Sequence, residues 1–395
     1  MTAHPPDKPK RKRLWYQFSL RTLLVFVLAA GMGLGLLGRK AQNLRSQHLA
    51  MRQLNKELVQ VEVQYGHPGW PYRLLGEDFS PVVFLHCSGS DVTDATMALL
   101  SGLTSLETLR LDSSQVTDAG LVHLKGLISL TDLDLSSTQV TDAGLVHLKG
   151  LADLKHLDLA ETQVGGAGLA HLKGVTSLDL SFAQLNDAGL EHLKGLSSLK
   201  DLVLAGTHVT DAGLVHLKAL TGLENLDLCA TQVSDAGLEH LKGLTSLNSL
   251  WLGDIAVTDT GLEHLKGLSS LKTLQVGGTQ VTDAGVEHLK CLTTLIDLNL
   301  SGTQVTDTGL EHLKGLTSLE HLFLDRTQVS DAGLVHLKGL SGLKWLTLNG
   351  TRVTDVGVKA LKSSLPNLEV HHSRRDQSAR PAQEDPVSMC EKADE

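Results

Sequence analysis

The sequence predicts an α/β solenoid of about thirteen strand–helix units, with a parallel sheet on its concave side and helices on its convex side, preceded by an N-terminal transmembrane helix. Three observations carry this. Leucines recur every 24 residues, from Leu109, Leu133 and Leu157 and again from Leu178 to Leu346. The phrase TDAGLVHLKGL stands at 117–127, returns letter for letter at 141–151, and recurs in variants almost to the end of the chain. Residues 22–38 carry no charge, and Arg21 and the pair Arg39–Lys40 bracket them.

In chain order, residues 1–21 read as a basic cytoplasmic tail and 22–38 as a membrane span, close to the lower limit of about 17 apolar residues. Trp15, Tyr16 and Phe18 stand where an interfacial aromatic belt would lie, and Lys8, Lys10, Arg11, Lys12, Arg13 and Arg21 outweigh the positive charge after the run. The N-terminus is therefore expected inside, with the repeats outside the cytoplasmic membrane. A cleaved signal peptide is the alternative, because Ala29-Ala30-Gly31 offers small residues, but the apolar run continues beyond them. The net charge of −9 conceals a split: residues 1–60 hold eleven Lys and Arg against Asp7 and Glu57, and the remainder is near −18. An acidic body argues against nucleic acid as its partner.

Residues 39–81 are expected to form a juxtamembrane helix, with Leu44, Leu49, Leu54, Leu58 and Val61 at near-helical spacing, followed by an N-terminal cap around Trp70 and Tyr72. From 82 to 370 each unit reads L-x-x-L-x-L and then Thr-Asp-Ala-Gly-Leu. The alternation of the leucines gives a short strand with one buried face. Thr or Ser supplies an N-cap and opens a helix whose Leu121 and Leu124 point inward. A strand, a turn and a helix in 24 residues is a leucine-rich repeat. No unit can bury its own leucines, so the phrase recurs because the fold requires neighbours.

The series runs from Leu85 to Leu368, thirteen strand positions. Three residues after the second strand leucine, Ser114, Thr138, Thr162, Thr207, Thr231, Thr279, Thr303, Thr327 and Thr351 predict a buried hydroxyl ladder that lapses at Ala183 and Ile255. One register fault is visible. Gly165-Gly166 replaces Thr-Asp, and Leu157 to Leu178 is only 21 residues, so a lost cap worth about 1 kcal/mol and a local weak point are expected there. Residues 371–395 are polar and almost free of apolar side chains, which predicts a disordered tail.

The repeats resemble the TDAGL-type leucine-rich repeats related to the ribonuclease-inhibitor-like class, over about residues 82–370. FSLRTLLVFVL, AMRQLNKELVQVEVQYG and PYRLLGEDFSPVV resemble a bacterial group of membrane-anchored leucine-rich-repeat proteins. Similar repeats occur in F-box ubiquitin-ligase adaptors, but this chain has an anchor where an F-box would be, so that role is not carried over. The resemblance implies a fold and leaves the ligand open.

The side chains flanking the strand leucines form the concave face, the usual binding surface of a solenoid. Asp134, Asp158 and Asp179 fall on consecutive rungs, with Asp132, Asp201 and Asp227 near; this is either an acidic strip that meets a basic partner or a solvated row. Trp251, Phe323 and Trp345 fall on concave positions, and His321 is placed beside the last two. Exposed Trp and Phe are typical interface anchors, although Trp345 could equally cover the end of the stack. The column from His123 to His336, one per repeat on the helical side, reads as structural, because a straight ladder gives no converging ligands. No nucleophile elbow, phosphate loop or zinc-protease motif is present, and no cofactor or metal is expected. The sequence thus points to a membrane-anchored, non-catalytic binding or scaffolding protein for a protein or envelope polymer. The alternative is a soluble or cytoplasmic adaptor.

Overall fold

The computed structural model describes residues 39–55, 61–66 and 80–373. The predicted span 22–38 and most of the tail lie outside them. Among the described residues no helix is long and apolar enough to cross a membrane.

Among the described residues, fourteen strands form one sheet in chain order. They are β1 (Glu62–Tyr65), β2 (Val82–His86), β3 (Thr108–Arg110), β4 (Asp132–Asp134), β5 (His156–Asp158), β6 (Ser177–Asp179), β7 (Asp201–Val203), β8 (Asn225–Asp227), β9 (Ser249–Trp251), β10 (Thr273–Gln275), β11 (Asp297–Asn299), β12 (His321–Phe323), β13 (Trp345–Thr347) and β14 (Glu369–His371). From β2 onward all pairs are parallel and the central leucines are in register, Leu109 with Leu133 and Leu274 with Leu298, for example. The predicted solenoid is therefore present. Its two ends differ from expectation. The last strand position is Val370, paired with Leu346, and not Leu368, which is buried just before the strand. At the other end β1 pairs antiparallel with β2, a strand the helical spacing of Val61 concealed.

Both ends of a leucine stack need a cover. The described part of the N-terminal helix, 39–55, buries Leu44, Met51 and Leu54, whereas Leu49, expected on the inner face, is exposed. Gln47 is buried among them, donating from Nε2 to Gly102 O at 3.3 Å and accepting from Val82 N at 3.3 Å. It thereby ties the helix to the first rung. At the C-terminal end the helix Asp355–Ser364 buries Leu361 over the last rung.

The helical side is tighter than the sequence suggested. A typical unit has one α-turn, Asp118–Leu121, followed by a 3-10 segment, Val122–Gly126. Units at 144–148, 167–171 and 333–339 have only the 3-10 form. A 3-10 segment rises about 2.0 Å per residue against about 1.5 Å for an α-helix. That lets few residues span the return path and still bury Leu121 and Leu124.

The recurring phrase is explained by a contact between repeats. Asp94 accepts from the backbone N of Thr117 (2.8 Å) and from its Oγ1 (2.7 Å), and the Thr117 hydroxyl accepts from Ala119 N. The same arrangement joins Asp118 to Thr141, Asp211 to Ser234, Asp235 to Thr258 and Asp331 to Thr354. Glycine follows two residues later because the neighbouring aspartate occupies its side-chain space: a Cβ on Gly120 would lie 2.5 Å from Asp94 Oδ1. Thr caps, Asp binds the next cap, Gly makes room and Leu is buried. Inside the turn the hydroxyl ladder forms as expected, with Thr138 Oγ1 donating to Leu135 O and Thr303 Oγ1 to Leu300 O, each at 2.6 Å. At Ser114 the buried hydroxyl has no partner.

The short repeat solves its missing cap differently from expectation. Asp142 accepts from the backbone N of Gly165, Gly166 and Gly168, so the orphan donors are satisfied from the preceding unit. Gly166 has φ +115°, and its backbone packs directly against Gly189, where an aspartate would otherwise stand. The three missing residues leave a cleft of about 600 Å³ on the return side, lined by Leu148, Leu151, Leu154, Leu172 and Val175 among others.

Candidate functional site

The concave sheet is the candidate site, and its two halves are chemically unlike. In the N-terminal half, Asp134, Asp158 and Asp179 are register neighbours on β4, β5 and β6. They line a concave cleft of about 450 Å³ together with Arg110, Asp132, His156 and Val203. At one end Arg110 lies over the Phe84 ring, its guanidinium carbon 6.0 Å from the centroid.

The row is half-buried and not simply solvated. Each carboxylate also serves the turn beyond its strand: Asp134 accepts from Ser136 N (3.0 Å), Asp158 from Ala160 N (2.8 Å) and Asp179 from Ser181 N (2.7 Å). Asp227 and Asn299 make the same bond to Cys229 N and Ser301 N. The frequent Leu-Asp-Leu wording is thus a side-chain-to-backbone turn device that happens to face the concavity. Burial, only partly offset by the Ala160 N–H and reinforced by Asp179, Asp134 and Asp112, pushes Asp158 up to about 7. Burial likewise raises Asp179, against the opposing bonds from Ser181. Burial, with neighbouring carboxylates adding to it, thus favours the protonated form in this cleft.

In the C-terminal half the same columns carry aromatic and amide groups. Trp251, Gln275, Asn299 and Phe323 follow one another on β9 to β12. In the adjoining column His321 is in register with Trp345, and His321 Nδ1 is hydrogen-bonded to the Asp297 carboxylate. Phe323 is the register partner of Thr347, so it meets Trp345 only diagonally. Trp345 stacks on His371 of β14, with ring centroids 4.1 Å apart. The three aromatics are half-buried, less exposed than their positions suggested, and Trp345 does lie against the terminal rung. Phe182 is outside this set: it occupies a left-handed turn (φ 55°), 39% exposed, with its ring against Gly206.

Sequence reasoning missed Gln275. Its side chain is 5% exposed and its Oε1 has no hydrogen-bond partner. The signal was present in the column of outward positions, where a lone glutamine sits between Trp251 and Asn299.

The model of the leucine-rich-repeat family ("Leucine Rich repeat") matches residues 126–148, 175–194, 267–290 and 291–314. The fold is a leucine-rich-repeat solenoid. Among solved structures, an internalin (inlF) of Listeria monocytogenes is similar, with 27% identity, 79% of this chain and 94% of that chain covered, and a TM-score of 0.56. A leucine-rich-repeat protein of Leptospira interrogans shares the fold at 20% identity, covering 69% of this chain and 74% of that one, with a TM-score of 0.52. No curated protein matches the chain.

Proposed function

We propose that this protein is a non-catalytic binding protein, anchored by residues 22–38 in the cytoplasmic membrane, that holds a protein or envelope polymer on its concave sheet. The observation that carries the reading is the distribution of variation. The edge that bears the Asp–Thr contacts repeats its residues from one end of the stack to the other, while the concave columns change character along the sheet and collect Trp251, Phe323, Trp345 and His321 in one half and the acidic cleft in the other. Anchors of this type contribute most of the energy in protein interfaces, and a charged cleft steers the approach of a partner of opposite sign. The likeness to an internalin solenoid supports a binding or scaffolding role of this kind.

Capture from solubilised envelope by the full chain, compared with Phe323→Ala plus Trp345→Ala, tests the site. Loss of the captured species with an unchanged circular dichroism spectrum is expected. Equal capture would remove the aromatic half from the binding surface. Protease added to spheroplasts tests the topology: repeats digested without lysis agree with an outward face, and repeats protected until lysis would place them in the cytoplasm.

A further inference from the structure

In the outward column that runs through the third residue of each strand, every aspartate and asparagine spends an oxygen on its own turn. Asp134, Asp158, Asp179, Asp227 and Asn299 each accept from the backbone N two residues on. Gln275 stands in the same column on β10 and is the exception. Its side chain faces the concavity yet is 5% exposed, and among the described residues no donor reaches its Oε1. A buried acceptor without a donor is costly, and that cost disappears when a donor arrives.

The surroundings say what kind of molecule brings the donor. Trp251 and Asn299 are in register with Gln275, one rung to either side, and Phe323 follows on the next rung. In the adjoining column Gly277 has no side chain, and a Cβ there would lie 3.4 Å from Asn299 Nδ2. The outward positions of β9 to β13 carry hydroxyl, amide, carboxylate, imidazole and aromatic groups, with no aliphatic side chain and no Lys or Arg. Their carboxylate, Asp297, is already engaged by the Thr273 hydroxyl and by His321. An anionic polymer meets no cation here, and the aliphatic contacts that a protein's leucines use are missing. A neutral ligand rich in hydroxyl and amide groups fits.

Spacing agrees with a sugar strand. Trp251 and Phe323 are three rungs apart, roughly 14 Å at strand spacing. An extended β-linked hexose strand advances by about one rung per sugar. A sugar on each ring therefore leaves the Gln275 and Asn299 amides beneath the sugars between them. The C–H face of a pyranose packs on the negative face of an aromatic ring. An acetamido substituent adds the fixed N–H that Oε1 lacks, together with a methyl group to lie against the indole.

We propose that Trp251, Gln275, Asn299 and Phe323 bind a neutral glycan strand carrying N-acetylhexosamine, with Gln275 Oε1 accepting a hydrogen bond from an acetamido N–H. The inference rests on the reading of the concave sheet as the binding face, and it names the ligand as the polymer and not a protein. On binding, the Gln275 amide turns outward between Trp251 and Asn299 to meet its donor. A sugar with a hydroxyl in place of the acetamido group loses the fixed donor and the methyl contact, so it binds less tightly.

The full chain, in a detergent without a sugar headgroup, is titrated by calorimetry with chitohexaose, a β-linked N-acetylglucosamine oligomer, and with cellohexaose. Saturable binding of chitohexaose is expected, at least about tenfold tighter than that of cellohexaose. Gln275→Met keeps the shape and removes the acceptor. It should weaken chitohexaose binding at least about tenfold while its thermal midpoint is no lower than the parent's. Trp251→Ala should weaken binding as well, and it decides the matter if Gln275→Met does not fold. No saturable binding of chitohexaose, equal affinity for the two sugars, or undiminished binding by these variants would overturn the proposal. A protein captured from solubilised envelope, lost in Phe323→Ala plus Trp345→Ala and not displaced by chitohexaose, would overturn the glycan and leave the binding face standing. No capture of any species and no sugar binding would remove both.

Discussion

The edge that carries Thr-Asp-Ala-Gly-Leu and the concave face are built on the same rungs, and they differ in what a rung demands. On the edge every side chain answers to the neighbouring unit: Asp235 takes two hydrogen bonds from Thr258, and a Cβ on Gly261 would collide with Asp235. On the concave face the backbone bonds are complete within the sheet, so the outward side chain is constrained only where it also serves a turn, as Asp158 does. The edge repeats because it must. The face varies because it can, and a binding site can be written there without disturbing the stack.

The sharpest way to break that comparison lies in the short repeat. Gly166→Asp restores the missing letter of the phrase, yet it should do more damage than any single change on the concave face. The backbone is at φ +115°, and a Cβ there would overlap the Gly189 backbone. A loss of about 3 kcal/mol or more, or failure to fold, is expected by denaturant titration. A stable Gly166→Asp protein would mean that the edge tolerates the motif wherever it is placed. Next in size is Asp235→Ala, which leaves the N–H and hydroxyl of Thr258 without their acceptor and should cost about 2–3 kcal/mol. Hydrogen exchange should show the loss concentrated in the units on either side, because each repeat contacts only its neighbours.

The fold was legible in the sequence because its causes are periodic. Leucine spacing locates β3 to β13 without a gap, and even the three-residue deletion before Leu178 keeps Leu157 and Leu178 in register. The two ends were less legible for the same reason. β1 and the Val370 position belong to caps, which by their nature depart from the repeat. The candidate site was legible as a set of outward positions, but its contacts were not. That Trp345 is stacked on His371, that Gln275 is buried without a partner, and that Asp142 replaces the lost cap all depend on side-chain geometry between units. No count along one chain reveals these.

On the face itself, changes should matter little for stability and much for binding. Trp251→Ala removes a half-buried ring from a concave position and should cost within about 1 kcal/mol, against roughly 3–5 kcal/mol for an aromatic truncated in a core. If the same substitution unfolds the protein, Trp251 is part of the core and the division between edge and face fails at β9.

The effect that depends on pH, and that tests the electrostatics of the cleft, belongs to Asp158→Asn. The carboxyl titrates near its ordinary value in the unfolded chain and at about 7 in the folded protein. Between those values the folded state binds the extra proton, so stability falls as pH rises through the window and levels off above pH 7. Asparagine keeps the acceptor for Ala160 N–H, as Asn299 does for Ser301 on another rung, and removes the charge. The variant should therefore match the parent near pH 4 and exceed it at pH 8 by about 1–2 kcal/mol, after allowance for solvent screening of a half-exposed group. A uniform gain at both pH values would mean that desolvation of the charge is not what strains the cleft. A loss at pH 8 would show Asp158 already paired with a cation there, and would turn the acidic half from a steering surface into an occupied one.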